Sequence, residues 1–216
     1  MSNTLVPKSR IVEAACRTDF LSFFQWCFHT LQPGSTLNMN WHHRAMAYHL
    51  ELVLRGRIKR LIIAAPSRTL KSLMASVALP AYMLGRNPAA RVIGISHSTD
   101  LATKFSNECR ALVDSTQYHR FFPEVQLSKN TENEFHTTYG GYRYARSAEG
   151  SLTGIGGGLL VPDDFQNRWI CFRNRGERRP ITFTTAQWHH VPTTNIEERS
   201  SLSGSVFTWK TLLPYC

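Results

Sequence analysis

Hydrophobic residues recur at helical spacing in the first sixty residues of the chain. Between Arg10 and Leu31 they stand three or four positions apart, which predicts one or two amphipathic helices with a single buried face. A second pattern of the same kind runs from Asn40 to about Arg55. The sequence therefore predicts a helical segment at the N-terminal end.

A different pattern follows, in which short continuous apolar runs alternate with helical stretches. The runs 60–65 and 91–96 are typical of buried parallel strands. Helical patterns follow them at 73–84 and from about 99 to 115. The order strand, loop, helix, strand, helix is the signature of an α/β fold with a mainly parallel sheet flanked by helices.

Two further segments complete the pattern. The stretch 134–148 alternates between apolar and polar residues around Gly140-Gly141, which indicates a hairpin. Residues 159–164 form an apolar run that ends in two carboxylates, Asp163 and Asp164. Beyond Asn167 the periodicities fade, and the sequence predicts no element there.

The length and composition are those of one globular domain. The chain has 216 residues, of which 42% are hydrophobic, and this is enough to bury a sizeable core. No run approaches the ~18 apolar residues of a membrane span, and the start lacks the apolar core of a secretory signal. The five cysteines are widely spaced and never form CxxC, which favours reduced thiols over a disulfide framework or a zinc site. We therefore expect an intracellular protein with no membrane partner.

The charge changes the list of expected partners. Lys and Arg number 25 against 15 Asp and Glu, which gives a formal net charge of +10. A strongly basic surface favours a polyanionic partner, and nucleic acid is the commonest one.

The segment between the first strand and the next helix has the parts of a phosphate-binding loop. Such a loop needs N–H groups turned toward the ligand, a helix N-terminus, and a lysine followed by a hydroxyl that completes a Mg²⁺ shell. Lys71 and Ser72 supply the last two parts, although Ala65 and Leu70 stand where GxxxxGK[ST] has glycine. The alternative interpretation is a solvated lysine at a helix start. The whole loop reads Pro66, Ser67, Arg68, Thr69, Leu70, Lys71, Ser72.

The two carboxylates that end the later apolar strand supply the partner that such a loop requires. Asp163 can hold Mg²⁺, and Asp164 can orient or activate the attacking water. Arg68, inside the loop, can reach the γ-phosphate and stabilise developing charge. For an isolated Asp pair, a helix N-cap or an Asx turn is the ordinary explanation. The occurrence of both motifs in one chain favours a nucleotide site.

These residues resemble the ATPase domain of the large subunit of tailed-bacteriophage terminase, the DNA-packaging motor. The family's loop often reads PPRSLKS, from which Pro66-Ser-Arg-Thr-Leu-Lys-Ser72 departs at its second and fourth positions. The resemblance covers about residues 18–167, in order and at sensible spacing. The other matching stretches are Asn40-Trp-His-His43, Leu84-Gly-Arg-Asn-Pro88, Ser147-Ala-Glu-Gly-Ser-Leu-Thr-Gly154 and Leu159-Leu-Val-Pro-Asp-Asp164.

The resemblance implies a P-loop NTPase fold and a role for each matching residue. Lys71 and Ser72 would bind the β- and γ-phosphates of ATP and Mg²⁺, Asp163 would be the Walker B carboxylate, and Asp164 would stand at the position of the catalytic acid. Trp41 and His42 fall where the family contacts adenine, although a buried Trp packing on the first strand is an equally good account. Pro162 departs from the family because it removes a ladder donor from a strand expected to be central.

The resemblance also implies partners. The intact motor acts on duplex DNA as a homo-oligomeric ring, with a portal protein and a small terminase subunit. An alternative from another class is a small basic nucleic-acid-binding protein that uses the loop as a phosphate cradle without hydrolysis. An unrelated P-loop ATPase or helicase is a third possibility, disfavoured because Trp41-His42 and Leu152-Thr-Gly154 have no reason to accompany it.

The tail differs from the family and from the rest of the chain. Residues 168–216 contain no Asp and three of the five Trp. If one base was lost near Asn167, the codons of Trp169-Ile170 force an Asp in the shifted frame, and those of Trp209-Lys210 force a Glu. The shifted frame allows the family's strand and coupling motif, so we hypothesise an out-of-frame tail; a natural divergent C-terminus is the alternative.

This hypothesis defines three segments and several expectations. We expect a helical segment over 1–58, an ATPase core over 59–167 and an atypical tail over 168–216. As a truncated prophage product, the chain would lack a nuclease domain, and its sheet would be incomplete at the C-terminal end. We then expect no nuclease activity and at most weak ATP binding in isolation.

Overall fold

The computed structural model describes residues 8–66, 68–148, 156–163 and 205–210. The helical pattern near the start forms two helices, α1 (Lys8–Thr18) and α2 (Phe20–Leu31). They separate at Asp19, the N-cap of α2, whose side chain accepts a hydrogen bond from the backbone N–H of Ser22 at 2.7 Å. The next helix, α3 (Trp41–Leu54), begins after Asn40.

The remaining helical elements flank the sheet. After the loop at 66–72 comes a π-helical segment, which continues directly into α4. A longer helix, α5, follows the second strand, and the short α6 was not predicted from the sequence. Their bounds are Leu73–Ala78 for the π-helical segment, Leu79–Arg86 for α4, Thr99–Val113 for α5 and Thr116–Phe121 for α6.

The strands form one sheet in the order β1-β7-β6-β2-β5-β4-β3. The pairs β1–β7, β7–β6, β6–β2 and β2–β5 are parallel, whereas β5–β4 and β4–β3 are antiparallel. The sheet is therefore mixed, and the prediction of a mainly parallel sheet is corrected, because the hairpin β4–β5 is joined by the unpredicted β3. The strands are β1 (Arg60–Ala64), β2 (Arg91–Ser96), β3 (Leu127–Asn130), β4 (Glu134–Thr137), β5 (Tyr142–Ser147), β6 (Leu159–Asp163) and β7 (Ser205–Lys210).

Two features of β1 and β7 differ from expectation. β7 comes from the atypical tail and lies between β1 and β6, at the C-terminal end of the chain where we expected the sheet to be incomplete. β1 was predicted to be buried, but half-buried and exposed residues alternate along it, and Ile62 is 67% exposed. The reason is that one face of β1 packs against the core, through Leu61 and Ile63, whereas the face that carries Ile62 is exposed.

An aromatic core joins α2 to the helices that follow the loop 66–72. The Phe23 ring lies 5.1 Å from that of Tyr82 in α4 and 5.9 Å from that of Phe122, and Tyr118 packs 5.1 Å from Phe122. Gly85 makes room for this cluster, because a Cβ there would lie 2.4 Å from the Phe122 ring. These contacts hold α4, which continues from the π-helical segment after the loop 66–72, against α2. Within the described ranges, no helix is both long and apolar enough to cross a membrane.

Candidate functional site

The loop between β1 and the π-helical segment has an unusual backbone. Arg68 has φ 64° and Leu70 has φ 58°, both in the left-handed region that non-glycine residues enter at a cost of roughly 1 kcal/mol. The Thr69 hydroxyl donates to the carbonyl of Pro66 at 2.9 Å and closes the turn. Left-handed residues beside right-handed ones direct successive N–H groups toward a common point, the geometry of anion-binding nests. Leu70 thus takes a glycine-like conformation where GxxxxGK[ST] has glycine.

The loop leads directly into a helix start. Lys71 is buried at 7% exposure, Ser72 is half-buried and helical, and Arg68 is exposed. The Met74 N–H donates to the carbonyl of Leu70 at 2.9 Å, which makes Leu70 the last residue before the helix. The predicted order of loop, lysine, hydroxyl and helix is therefore present. Ser67 lies outside the described residues.

The predicted Walker B strand meets this helix. Asp163 is completely buried at the end of β6, and the Ser76 hydroxyl donates to its Oδ2 at 3.2 Å. β1 and β6 run parallel on either side of β7, so their carboxyl ends lie at the same edge of the sheet. The structure therefore brings the helix after the loop into contact with Asp163. Asp164 is beyond the part of the chain that the structure describes.

Pro162 is accommodated by the pairing of β6. Toward β2 the register runs through Ile95↔Pro162 to Ser96↔Asp163, but toward β7 it includes only Leu159 and Leu160. The ladder with β7 therefore ends before the residue that has no N–H to donate. The proline is compatible with a carboxylate at the end of a central strand.

Ser76 is a residue that sequence reasoning missed, and so is its second partner, Arg143. Arg143 lies in β5 at 1% exposure, and its Nη2 donates to the carbonyl of Ser76 at 3.0 Å. This carbonyl is available because Pro80, four residues later, has no N–H for an α-helical hydrogen bond. The ring of a proline also clashes with the carbonyl four residues back, which accounts for the widened π-helical turn before it.

Burial of the Arg143 guanidinium is poorly compensated. Its Nε and Nη1 have no hydrogen-bond partner among the described residues. Burial lowers the pKa of Arg143, and the nearby Cys109 thiol offsets this only in part. Cys109 is fully buried in α5, and burial raises its own pKa to about 11. The signal in the sequence would have been an arginine at an inward position of an alternating strand.

The N-terminus of α3 lies against the loop. His43 is buried, its Nδ1 accepts from the Asn40 N–H at 3.1 Å, and its Nε2 lies 3.0 Å from Nε2 of His42. Burial lowers the pKa of His43, His42 lowers it further, and a hydrogen bond to the backbone of Thr69 raises it. Since Nδ1 accepts, the neutral ring carries its proton on Nε2. His43, which the sequence did not single out, therefore joins α3 to the loop.

Of the two residues expected near adenine, His42 is half-buried beside His43 and Trp41 is 76% exposed. The alternative account of a buried Trp41 packing on β1 is therefore wrong. Asn40 caps the helix and holds both residues at its first turn, accepting from the Trp41 N–H at 2.8 Å.

The donor set fits a phosphate-bound magnesium ion. Mg²⁺ in proteins is usually held by one or two carboxylates and the phosphates of a substrate, without a full cage of protein ligands. Ser72 and Asp163 offer the hard oxygens for such a site. The residues that the structure describes contain no group of three or more His, Cys, Asp or Glu able to hold a metal ion.

A scan against protein-family models finds no model that matches this chain, and a search of curated proteins finds none similar to it. The resemblance to terminases therefore depends on the motifs themselves, chiefly the loop 66–72 and the strand that ends at Asp163.

Proposed function

We propose that the chain is the ATPase part of a phage DNA-packaging terminase large subunit, which hydrolyses ATP to drive duplex DNA into a prohead. The hydrogen bond from Ser76 to Asp163 carries the proposal, because it joins the helix after the loop to the strand expected to bear the Walker B carboxylate. A solvated lysine at a helix start would predict no such distant carboxylate.

The proposal assigns a role to each described residue of the loop. The backbone N–H groups of Arg68, Thr69 and Leu70 cradle the phosphates, Pro66 begins the loop and accepts from the Thr69 hydroxyl, and the strained φ values at Arg68 and Leu70 support this use. Lys71 stabilises the outer phosphates through its charge. The exposed Arg68 side chain can turn toward the γ-phosphate, where it would stabilise charge that develops on hydrolysis.

Magnesium, when bound with ATP, neutralises phosphate charge and orients the γ-phosphate. Ser72 and Asp163 would hold it. Asp163 is kept in one orientation by Ser76, and Asp164 directly after it is proposed to position the attacking water. At the adenine side, His42 and the exposed ring of Trp41 offer flat surfaces for the base.

Translocation needs partners beyond this chain. We propose duplex DNA as the substrate that is moved, and a homo-oligomeric ring with a portal protein and a small terminase subunit in the intact motor. The net charge of +10 supports a partner that is bound through its phosphates. The alternative, a basic nucleic-acid-binding module that does not hydrolyse ATP, is supported by the same charge.

Phosphate release from ATP, together with DNA binding, separates the two proposals. The motor proposal expects Mg²⁺-dependent hydrolysis that Lys71→Ala and Asp163→Asn each lower by at least ~100-fold, with DNA binding largely retained. Lys104→Ala, which removes an exposed lysine of α5 whose partner is Glu108, is the matched control. A uniform fall in DNA affinity in Lys71→Ala, with no hydrolysis in the unmodified chain, would favour the binding module instead.

A further inference from the structure

Helix α3 presents an aromatic and basic face away from the core. Tyr48 is 61% exposed, and Arg44 and Arg55 stand four residues before it and seven after it, so all three lie on one side of the helix. The opposite side is buried through Met46 and Leu50, which fixes the rotation of the helix. The exposed side is therefore held outward by the fold itself.

The charge of this region is strongly one-sided. Residues 41–60 contain five Arg or Lys and one acidic residue, Glu51, which pairs with Arg55 at 2.6 Å. Arg57 and Lys59 are exposed in the turn that follows α3. We call Arg44, Tyr48, Arg55, Arg57 and Lys59 the α3 stripe.

We propose that the α3 stripe binds the sugar–phosphate backbone of duplex DNA. Arginine and lysine supply most phosphate contacts in protein–DNA complexes, and a tyrosine hydroxyl donates to phosphate as well. Arg44 and Arg55 are eleven residues apart, or about 16 Å along the helix at 1.5 Å per residue. Phosphates of one strand advance about 3.4 Å each along the duplex, so the stripe spans about five of them.

The stripe suits phosphates better than stacked bases. Binding of a single strand depends on several aromatic rings that bases stack on in succession. Beside the four cations, the same side of α3 exposes two aromatic rings, those of Tyr48 and of Trp41, which lies seven residues earlier. The α3 stripe is therefore expected to bind duplexes of any sequence with similar affinity.

The choice of duplex DNA as the partner rests on the proposed function, but the test of the α3 stripe needs no ATP. The affinity of the full chain for a fluorescent duplex is measured by anisotropy from 50 to 300 mM salt. The stripe variant is Arg44→Gln/Arg55→Gln/Arg57→Gln. The control removes three equal charges elsewhere, as Lys104→Gln/Arg120→Gln/Lys129→Gln, where Lys104 and Lys129 are 65% and 51% exposed in their side chains and Arg120 is exposed.

Loss of three phosphate contacts should lower the salt slope of log affinity by about 3 and weaken binding on the order of 100-fold at 0.1 M salt. The control should change affinity by less than about threefold, the effect of net charge alone. Equal losses in both triples would overturn the proposal, because binding would then follow the overall field.

Two other results would also overturn it. One is the absence of duplex binding at 50 mM salt by a chain that still hydrolyses ATP, which would leave the proposed function intact. The other is that the chain binds single-stranded DNA or vesicles of anionic lipid more tightly than it binds the duplex, while the stripe variant leaves the affinity for the duplex unchanged. Conversely, DNA binding that depends on the stripe in a chain that binds no ATP would uphold the stripe and reject the motor.

Discussion

Replacing the buried Arg143 by methionine should make the protein more stable and less active. The guanidinium is 1% exposed, and its single hydrogen bond described by the structure goes to the Ser76 carbonyl, while Nε and Nη1 have no partner among the described residues. Each unpaired buried donor costs about 1–3 kcal/mol. Arg143→Met removes both of these costs and keeps most of the side-chain volume.

The opposing cost comes from Ser76. Its carbonyl loses the Arg143 donor and, because of Pro80, has no α-helical N–H to replace it, a penalty of about 1–3 kcal/mol. The balance favours Arg143→Met by about 1–2 kcal/mol, in line with the gain often seen when a buried charge is replaced by an apolar residue. For a chain of this length the melting temperature should rise by about 3–6 °C.

Activity should change in the opposite direction. Ser76 donates to Asp163, so a shift of its backbone alters the orientation of the carboxylate. We expect the rate of ATP hydrolysis to fall about tenfold with little change in KM, since Asp163 would still be present to hold magnesium. Ser76→Ala should lower the rate similarly, and Arg143→Lys, which retains a donor, should recover part of it.

The assays are thermal unfolding and steady-state phosphate release on the same preparations. A fall in melting temperature with Arg143→Met, together with an unchanged rate, would refute the reasoning. It would mean that the arginine is compensated by contacts other than the hydrogen bond to Ser76, and that Ser76 does not orient Asp163.

Two other changes test the loop. Burial lowers the pKa of His43 below its ordinary 6.5, so the unfolded chain binds a proton at this residue more readily than the folded chain does. The contribution of His43 to stability should therefore be full above about pH 6.5 and fall as the pH drops below that value. When the melting temperature is measured from pH 5 to 8, this loss should be smaller in His43→Gln. His136, whose pKa burial also lowers, titrates in both proteins, so equal pH dependence would contradict a role for His43. Leu70 has φ 58°, so we expect Leu70→Gly to keep the free energy of unfolding within about 1 kcal/mol of the unmodified chain. Leu70→Val should be about 2 kcal/mol less stable than Leu70→Gly, because a branched side chain tolerates this conformation poorly. Equal stability of the two variants in urea unfolding would contradict the strain at Leu70.

Local patterns predicted the elements around the loop well. The apolar run 91–96 forms β2 with the same bounds, and the helical pattern from Asn40 forms α3 because Asn40 and His43 make a capping box. These elements follow from spacing and capping, which are properties of neighbouring residues. The α/β class followed from their order.

Long-range relations were predicted less well. The exposure of one face of β1 depends on which elements cover it, which its own residues do not encode. The partners of Ser76 are 67 and 87 residues away, and a serine inside a helix gives no signal of them. The contact between His43 and the loop likewise arises from packing of α3.

The origin of residues 168–216 stays a prediction. Their composition led us to expect a segment foreign to the fold, yet Ser205–Lys210 form β7 beside β1 and β6. Strand pairing tests geometry and not reading frame, because many apolar runs can add to a parallel sheet. Sequencing the DNA from the Asp163 codon onward would decide the matter: an open shifted frame supports the out-of-frame tail, and stop codons in that frame reject it.

The most direct test of the proposed motor is a calorimetric titration of the full chain with ATP, with and without magnesium. We predict weak, saturable binding of one ATP per chain that requires magnesium and disappears in Lys71→Ala, while Lys104→Ala binds as the unmodified chain does. Binding that is unaffected by Lys71→Ala, or that does not require magnesium, would contradict a nucleotide site at the loop 66–72.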